Sequence, residues 1–211
     1  MQGQFITLEG TEGGGKSTNL RFIESFLVAQ GIDVVITREP GGTDIGEAVR
    51  AILLNKDFSE MCDDAELLLM FAARAQHIQE KIKPALAAGK WVISDRFTDA
   101  TYAYQGGARG VDIERIAQIE QWVQQGFQPN LTFIFDLPVK EGMARVLSRS
   151  QQTGQTIDRF EQEKQAFFEK VRTTYLERAK ASPKRYEVLD ASQSLAQVQQ
   201  CIQARLRRGL P

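Results

Sequence analysis

The order of apolar and polar positions along this chain spells strand, helix, strand, helix. Gln4-Phe5-Ile6-Thr7-Leu8-Glu9 alternates like a short strand. Thr18 to Gln30 then reads as a helix, with Leu20, Ile23, Phe26 and Leu27 on one face and Gly31 as its stop. Ile32 to Thr37 is a β-rich run that ends in the turn cluster Arg38-Glu39-Pro40-Gly41-Gly42-Thr43. Thr43 or Asp44 can cap a helix through Leu54. A polar stretch from Asn55 to Asp64 precedes a long helical pattern from Ala65 to Ala88, stopped by Gly89. Trp91 to Ser94 is a short strand, and the segment Phe97 to Gly107 is aromatic and polar and closes on Gly106-Gly107. A helix opens at Asp112 and runs to about Gln125, and Leu131 to Phe135 is the clearest buried strand. Val139 to Arg149 is helical, Ser150 to Thr156 is polar and unpatterned, and Arg159 to Ala181 is helical again. The strand Tyr186 to Leu189 and a helix from Leu195 finish the pattern.

Five strands joined by helical crossovers predict a doubly wound α/β architecture, a parallel sheet with helices on both faces. In such sheets ligands sit at the carboxyl ends of strands. The chain's most distinctive polar clusters fall there, after the first, second and third strands. The first cluster is Gly10-Thr11-Glu12-Gly13-Gly14-Gly15-Lys16-Ser17, which fits the phosphate-binding loop pattern G-x-x-x-x-G-K-[ST] between a strand and a helix. Its glycines let backbone N–H groups turn inward on phosphate oxygens, and the helix after them adds its positive end. Lys16 is expected to reach the terminal phosphates, and the Ser17 hydroxyl to ligate Mg²⁺. A nucleoside triphosphate is the implied ligand.

Composition narrows this further. The chain has 211 residues, 26 basic and 27 acidic, for a net charge of −1. That balance argues against a nucleic-acid polymer as partner, since the footprint of such a binder is a basic excess. No apolar run approaches the roughly 18 residues of a membrane span, and the N-terminus has no secretory pattern. The two cysteines, Cys62 and Cys201, are too few and too far apart for a disulfide framework. A reduced, cytoplasmic protein, one domain with no membrane partner, is the expectation.

Four further groups carry candidate chemistry. On the long helix Leu67, Leu68, Phe71, Ala75, Ile78, Ile82 and Leu86 form an apolar arc, and Arg74 falls within its edge. A buried arginine needs a partner: either a carboxylate from another element or a bound polar ligand, with the Phe71 ring one turn away. His77, the single histidine, lies towards the polar side and is expected at the surface without a role. Asp95-Arg96 at a strand end suits a carboxylate near Mg²⁺ and a guanidinium on phosphate. Arg145 and Arg149, spaced i, i+4, and Arg159 with Glu161 flank a segment at about 149–160 that reads as a lid over phosphates. Asn55-Lys56-Asp57-Phe58 lacks the final Asp of a guanine-reading N-K-x-D element, which disfavours a GTP switch.

Taken in order, six stretches closely resemble bacterial thymidylate kinase over essentially the whole length. They are Glu9 to Ser17, Thr37 to Thr43, Leu68 to Arg74, Asp95-Arg96-Phe97, Tyr102 to Gly107, and Asp158-Arg159-Phe160-Glu161. The resemblance implies transfer of the ATP γ-phosphoryl to dTMP, with Mg²⁺, by a homodimer. It implies that Gly10, Thr11, Glu12, Gly13, Gly14, Gly15, Lys16, Ser17, Thr18 and Arg145 hold ATP. Phe71 resembles the ring that stacks on thymine, Arg74 the guanidinium that meets a base carbonyl, and Thr101 and Gln105 the readers of the pyrimidine edge. Arg50 and Arg96 resemble the arginines that grip the monophosphate, with Arg38 and Glu39 lining that pocket. Glu12 matches a position near the sugar hydroxyl, and Tyr104 a wall beside the sugar. Ser17 and Asp95 are the implied metal ligands, and Lys16, Arg96, Arg149 and Arg159 the catalytic charges. One form of the family carries its catalytic arginine in the phosphate loop, where this chain has Gly13. The arginines around the lid place this chain with the other form.

Overall fold

The structure, a computed structural model, describes residues 3–153 and 159–209. Its centre is a sheet of five parallel strands in the order β2-β3-β1-β4-β5. The strands are β1 (Phe5–Glu9), β2 (Val34–Arg38), β3 (Trp91–Asp95), β4 (Leu131–Asp136) and β5 (Tyr186–Asp190). β1 pairs with β3 and β4, setting Leu8 beside Asp95 and Phe133. Nearly every residue of β1, β3 and β4 is buried, as a sheet covered on both faces requires. The doubly wound architecture is therefore the one observed.

Helices α1 (Lys16–Ala29) and α9 (Leu195–Arg207) close one face. Their Ile23, Leu27, Val198 and Ile202 pack with Ile6, Ile93, Phe133 and Leu189 in the largest apolar cluster. The other side carries α2 (Asp44–Leu54), α3 (Asp63–His77), α6 (Ile113–Gln124), α7 (Val139–Thr153) and α8 (Gln165–Ala181). Thr43 caps α2, its hydroxyl accepting from the Gly46 N–H at 3.0 Å.

Several expectations are corrected by the backbone, among them the helix expected from Arg159, which begins only at Gln165. The long helix from Ala65 to Ala88 is interrupted: α3 passes through a π-helical turn at Ile78–Ile82 into α4 (Lys83–Ala87). Pro84 sits at the start of α4, where its missing N–H and ring displace the ordinary i→i−4 bond. The aromatic and polar segment after Phe97 is helical, as α5 (Thr98–Thr101) running into a π-helical stretch at Tyr102–Ala108. A π register defeats a search for the 3.6-residue period. Finally, α7 continues past Arg149 to Thr153, since nothing before Gly154 breaks a helix. The rest of the expected lid loop, 154–158, including Asp158, lies outside the described residues.

Candidate active site

β1 delivers the chain directly into the glycine-rich loop. Gly13 and Gly15 take φ of 76° and 83°, where a side chain would be strained. The turn they make brings the N-terminus of α1 up to the loop, so unpaired helix N–H groups open towards its hollow. The Lys16 ammonium donates to the carbonyls of Gly10 at 3.0 Å and Thr11 at 2.9 Å. Burial and the nearby Arg96 charge push that ammonium below its ordinary pKa, against the pull of Glu12, Asp95 and Glu9.

Glu12 to Thr18 line a cavity of about 740 Å³, within the size range of ligand sites. Gly10 and Thr11 lie outside its lining and contribute carbonyls to Lys16 instead. Ser17 is exposed on the cavity, and Asp95 at the end of β3 lines it with a buried Oδ1 that has no partner. A hydroxyl and an unpartnered carboxylate oxygen lining one cavity form a donor set that suits Mg²⁺.

The next residue, Arg96, stands at φ 71°, unusual for a non-glycine. The conformation turns its side chain onto the Glu12 carboxylate and over the Tyr104 ring, 4.7 Å from its centroid. Burial alone would raise the Glu12 carboxyl, but Arg96, Lys16 and Arg149 outweigh it and hold it below the usual carboxylate range.

Further along the same cavity lie Arg74, Thr101 and Gln105. Arg74 is 2% exposed. Its Nε donates to Glu39 Oε2 at 2.8 Å, and its Nη2 donates to Thr101 Oγ1 at 3.0 Å and the Phe97 carbonyl at 3.2 Å. The carboxylate partner expected for a buried arginine is thus Glu39, while Nη1 is buried and has no partner. Arg38 and Arg50 also line the cavity, Arg38 paired with Glu47 at 2.8 Å and Arg50 donating to the Pro40 carbonyl at 3.0 Å. From α7, Arg145 and Arg149 face the same space. Arg145 donates to the carbonyls of Gly13 and Ala191, each at 3.3 Å, and Arg149 pairs with Glu161 at 2.8 Å.

Three side chains stand elsewhere than the sequence suggested. Phe71 is buried against Leu67, Tyr102, Val111 and Ile116 and is not part of the cavity wall. Met70 takes the wall position. Met70 and Phe71 both lie within a turn of Arg74, whose guanidinium sits 4.8 Å over the Phe71 ring, but only Met70 reaches the cavity. Arg159 is absent from the cavity lining; its Nε donates to the Leu53 carbonyl at 3.0 Å and its Nη2 pairs with Glu66. Glu66, 1% exposed, also accepts from Gln105 Nε2 at 2.7 Å. Arg159 therefore ties the start of the chain after residue 158 to α2 and α3 rather than facing the cavity. His77, expected at the surface, is fully buried beneath Glu39. The π turn that follows it and the loop at 39–43 cover that side of the helix.

Glu9, at the end of β1, enters the sequence pattern only as the residue before the phosphate loop. It is fully buried, accepting from the Phe97 N–H at 2.7 Å and the Tyr175 hydroxyl at 2.8 Å. Burial, then the charge of Asp99, pushes its carboxyl from 4.5 up to about 8. Between those values the folded protein keeps a proton that the unfolded chain has lost, so this contribution to stability falls as pH rises. Glu9→Gln is expected to remove that slope. Melting curves from pH 5 to 9 should show the wild type losing stability relative to the variant, and parallel curves would count against it.

The comparisons with known proteins agree with this geometry. The family model for thymidylate kinase matches residues 8–202. The chain belongs to the thymidylate kinase family. The thymidylate kinase of Ectopseudomonas mendocina (strain ymp) is 59% identical over 206 residues, covering 98% of this chain and 96% of the relative. That of Pseudomonas putida (strain GB-1) is 58% identical over the same shares. The crystal structure of thymidylate kinase from Ehrlichia chaffeensis superposes with a TM-score of 0.77 at 32% identity, covering 98% of this chain and 99% of that one. Family membership makes the chain an ATP-dependent nucleotide kinase, a phosphotransferase.

Proposed function

We propose that the cavity binds ATP and dTMP together and passes the γ-phosphoryl to the monophosphate, giving dTDP. One observation supports this most directly: a single cavity is lined both by the phosphate loop and by Arg74, Thr101 and Gln105. A phosphate oxygen of dTMP forms the new P–O bond while the bond from the γ-phosphorus to its bridging oxygen breaks, and ADP departs with the electron pair. That oxygen is already anionic at neutral pH, so the step needs no general base. Positioning and charge neutralisation are what the protein has to supply.

Lys16 and the loop N–H groups hold the triphosphate, and Arg145 supports it from α7. Arg96, kept in place by Glu12 and Tyr104, holds the monophosphate with Arg38 and Arg50. Arg149 adds charge at the transferring group, and the segment at about 149–160 closes as a lid that excludes water. Ser17 and Asp95 would hold Mg²⁺, which supplies positive charge to the phosphate oxygens. Arg74 Nη1, with Thr101 and Gln105, meets the polar edge of the base.

Met70 forms the apolar wall against the base. Met70→Ala is expected to raise KM for dTMP about tenfold, roughly the effect of a lost apolar contact. KM for ATP should stay put. Phe71→Ala should instead lower stability by about 3–5 kcal/mol through a core cavity. A selective rise in KM for dTMP from Phe71→Ala would reverse the assignment.

We place the protein in the cytoplasm, where both substrates are made, and propose that it works as a homodimer. α3 and α6 pack side by side, yet each leaves large apolar side chains outside: Leu68 is 56% exposed and Trp122 is 79% exposed. Leu68 was expected in the apolar arc of α3, and a second copy covering this face accounts for its position.

The deciding experiment follows ADP formation with dTMP, dUMP, dCMP, dGMP and AMP as acceptors. Preference for dTMP is the expected result. Turnover centred on another monophosphate would overturn the base-site assignment and leave the phosphate site standing.

A further inference from the structure

We infer that His77 is a positioning residue for the acceptor site, acting through Glu39 on Arg74. The chain of contacts is continuous. Thr37 Oγ1 lies 2.6 Å from His77 Nε2, His77 Nδ1 lies 2.9 Å from Glu39 Oε1, and Glu39 Oε2 receives Arg74 Nε at 2.8 Å. All four residues are buried. The polarity of each bond follows from what the groups can do. A carboxylate facing Arg74 only accepts, so His77 Nδ1 carries the proton towards Glu39, and in the neutral ring Nε2 accepts from the Thr37 hydroxyl.

Each link removes a freedom from the next. Glu39 sits on the loop after β2, and its carboxylate could turn about its last torsion to meet Arg74 with either oxygen. Occupying Oε1 with His77 leaves Oε2 for Arg74. Arg74, bound at Nε and Nη2, then has only Nη1 without a partner.

The loop is held down over this chain as well. Lys81, in the π-helical turn, donates to the Gly42 carbonyl at 3.0 Å. Gly42 itself has φ 85°, and a Cβ there would lie 2.7 Å from His77 Nε2 and 2.6 Å from Thr37 Oγ1. Backbone passes over the imidazole with no room for a side chain.

The inference rests on Arg74 being an acceptor contact, and the test separates the two ideas. His77→Phe keeps a planar aromatic ring, slightly larger than imidazole, and removes both nitrogens. It should raise KM for dTMP about tenfold, with KM for ATP within twofold and kcat within threefold. His77→Asn restores an amide N–H in place of Nδ1 and should bring KM for dTMP back to within threefold of wild type. In a Glu39→Gln background, His77→Phe should add less than twofold, since both act through one chain.

An unchanged KM for dTMP in His77→Phe overturns the inference, and so does an equal rise for both substrates. Where His77→Phe fails to fold, Thr37→Val takes its place: it strips Nε2 of its partner and should raise KM for dTMP about threefold, and no rise overturns the inference. Arg74→Lys is measured alongside. No rise in its KM for dTMP would sink the reading of Arg74 itself, whereas a rise there without one in His77→Phe would sink only the role of His77.

Discussion

Replacing Arg149 by alanine is expected to lower kcat about a thousandfold while KM for dTMP and ATP moves only a few fold. Arg149 lies one turn beyond Arg145 on α7, and both face the cavity shared by the phosphate loop and Arg96. Its charge reaches Glu12, helping to hold that carboxyl below its usual range. In the proposed mechanism this guanidinium neutralises charge that builds on the phosphoryl oxygens during transfer. Arginines supplied to such transition states are worth roughly 10³ to 10⁵ in rate. In the proposed mechanism Lys16, Arg38, Arg50 and Arg96 carry ground-state binding, which is why KM should barely respond. Arg149→Lys should recover part of the loss, since it returns a point charge without the planar fork. Steady-state kinetics on both variants check this, and an unchanged kcat would remove Arg149 from the chemistry.

Arg74→Ala should damage stability and acceptor binding together. The guanidinium is 2% exposed and holds Glu39, Thr101 and the Phe97 carbonyl. Its removal leaves the buried Glu39 carboxylate without its cation, a loss of about 3–5 kcal/mol for a broken buried pair. For a domain of this size that corresponds to a fall in Tm of roughly 10 °C. The variant also lacks Nη1, so KM for dTMP should rise up to about a hundredfold, the scale of a charged hydrogen bond lost from a buried site. Thermal melts and kinetics at a temperature well below the variant's Tm keep the two effects apart. A stable variant with unchanged KM would contradict both halves.

The fold and the phosphate end of the site were legible for physical reasons. Buried parallel strands such as Trp91–Asp95 and Leu131–Asp136 are apolar runs that need no partner to be recognised. The loop from Gly10 to Ser17 is contiguous, so its chemistry can be read without knowing the fold. The base end was harder, because it is assembled from α3, the loop after β2 and the π-helical stretch after α5. The resemblance puts Phe71 against the base, yet its ring packs in the core beside Leu67 and Ile116. Expecting His77 at the surface treated α3 as an isolated helix, when Glu39, Thr37 and Gly42 cover that side. Arg159 beside Glu161 looked like part of the lid, but Glu66, far away in sequence, holds it.

Gly13 and Gly142 bring the phosphate loop and the first turns of α7 together with no side chain between them. A Cβ on Gly13 would lie 2.5 Å from the Gly142 carbonyl oxygen, and one on Gly142 would lie 2.6 Å from the Glu12 carbonyl oxygen. The position at which the other form of the family carries its catalytic arginine is thus filled, in this chain, by helix backbone. An arginine grafted at Gly13 would have to push α7 aside, displacing Arg145 and Arg149 along with it. Any side chain gained at Gly13 therefore comes at the cost of moving the helix that carries Arg145 and Arg149.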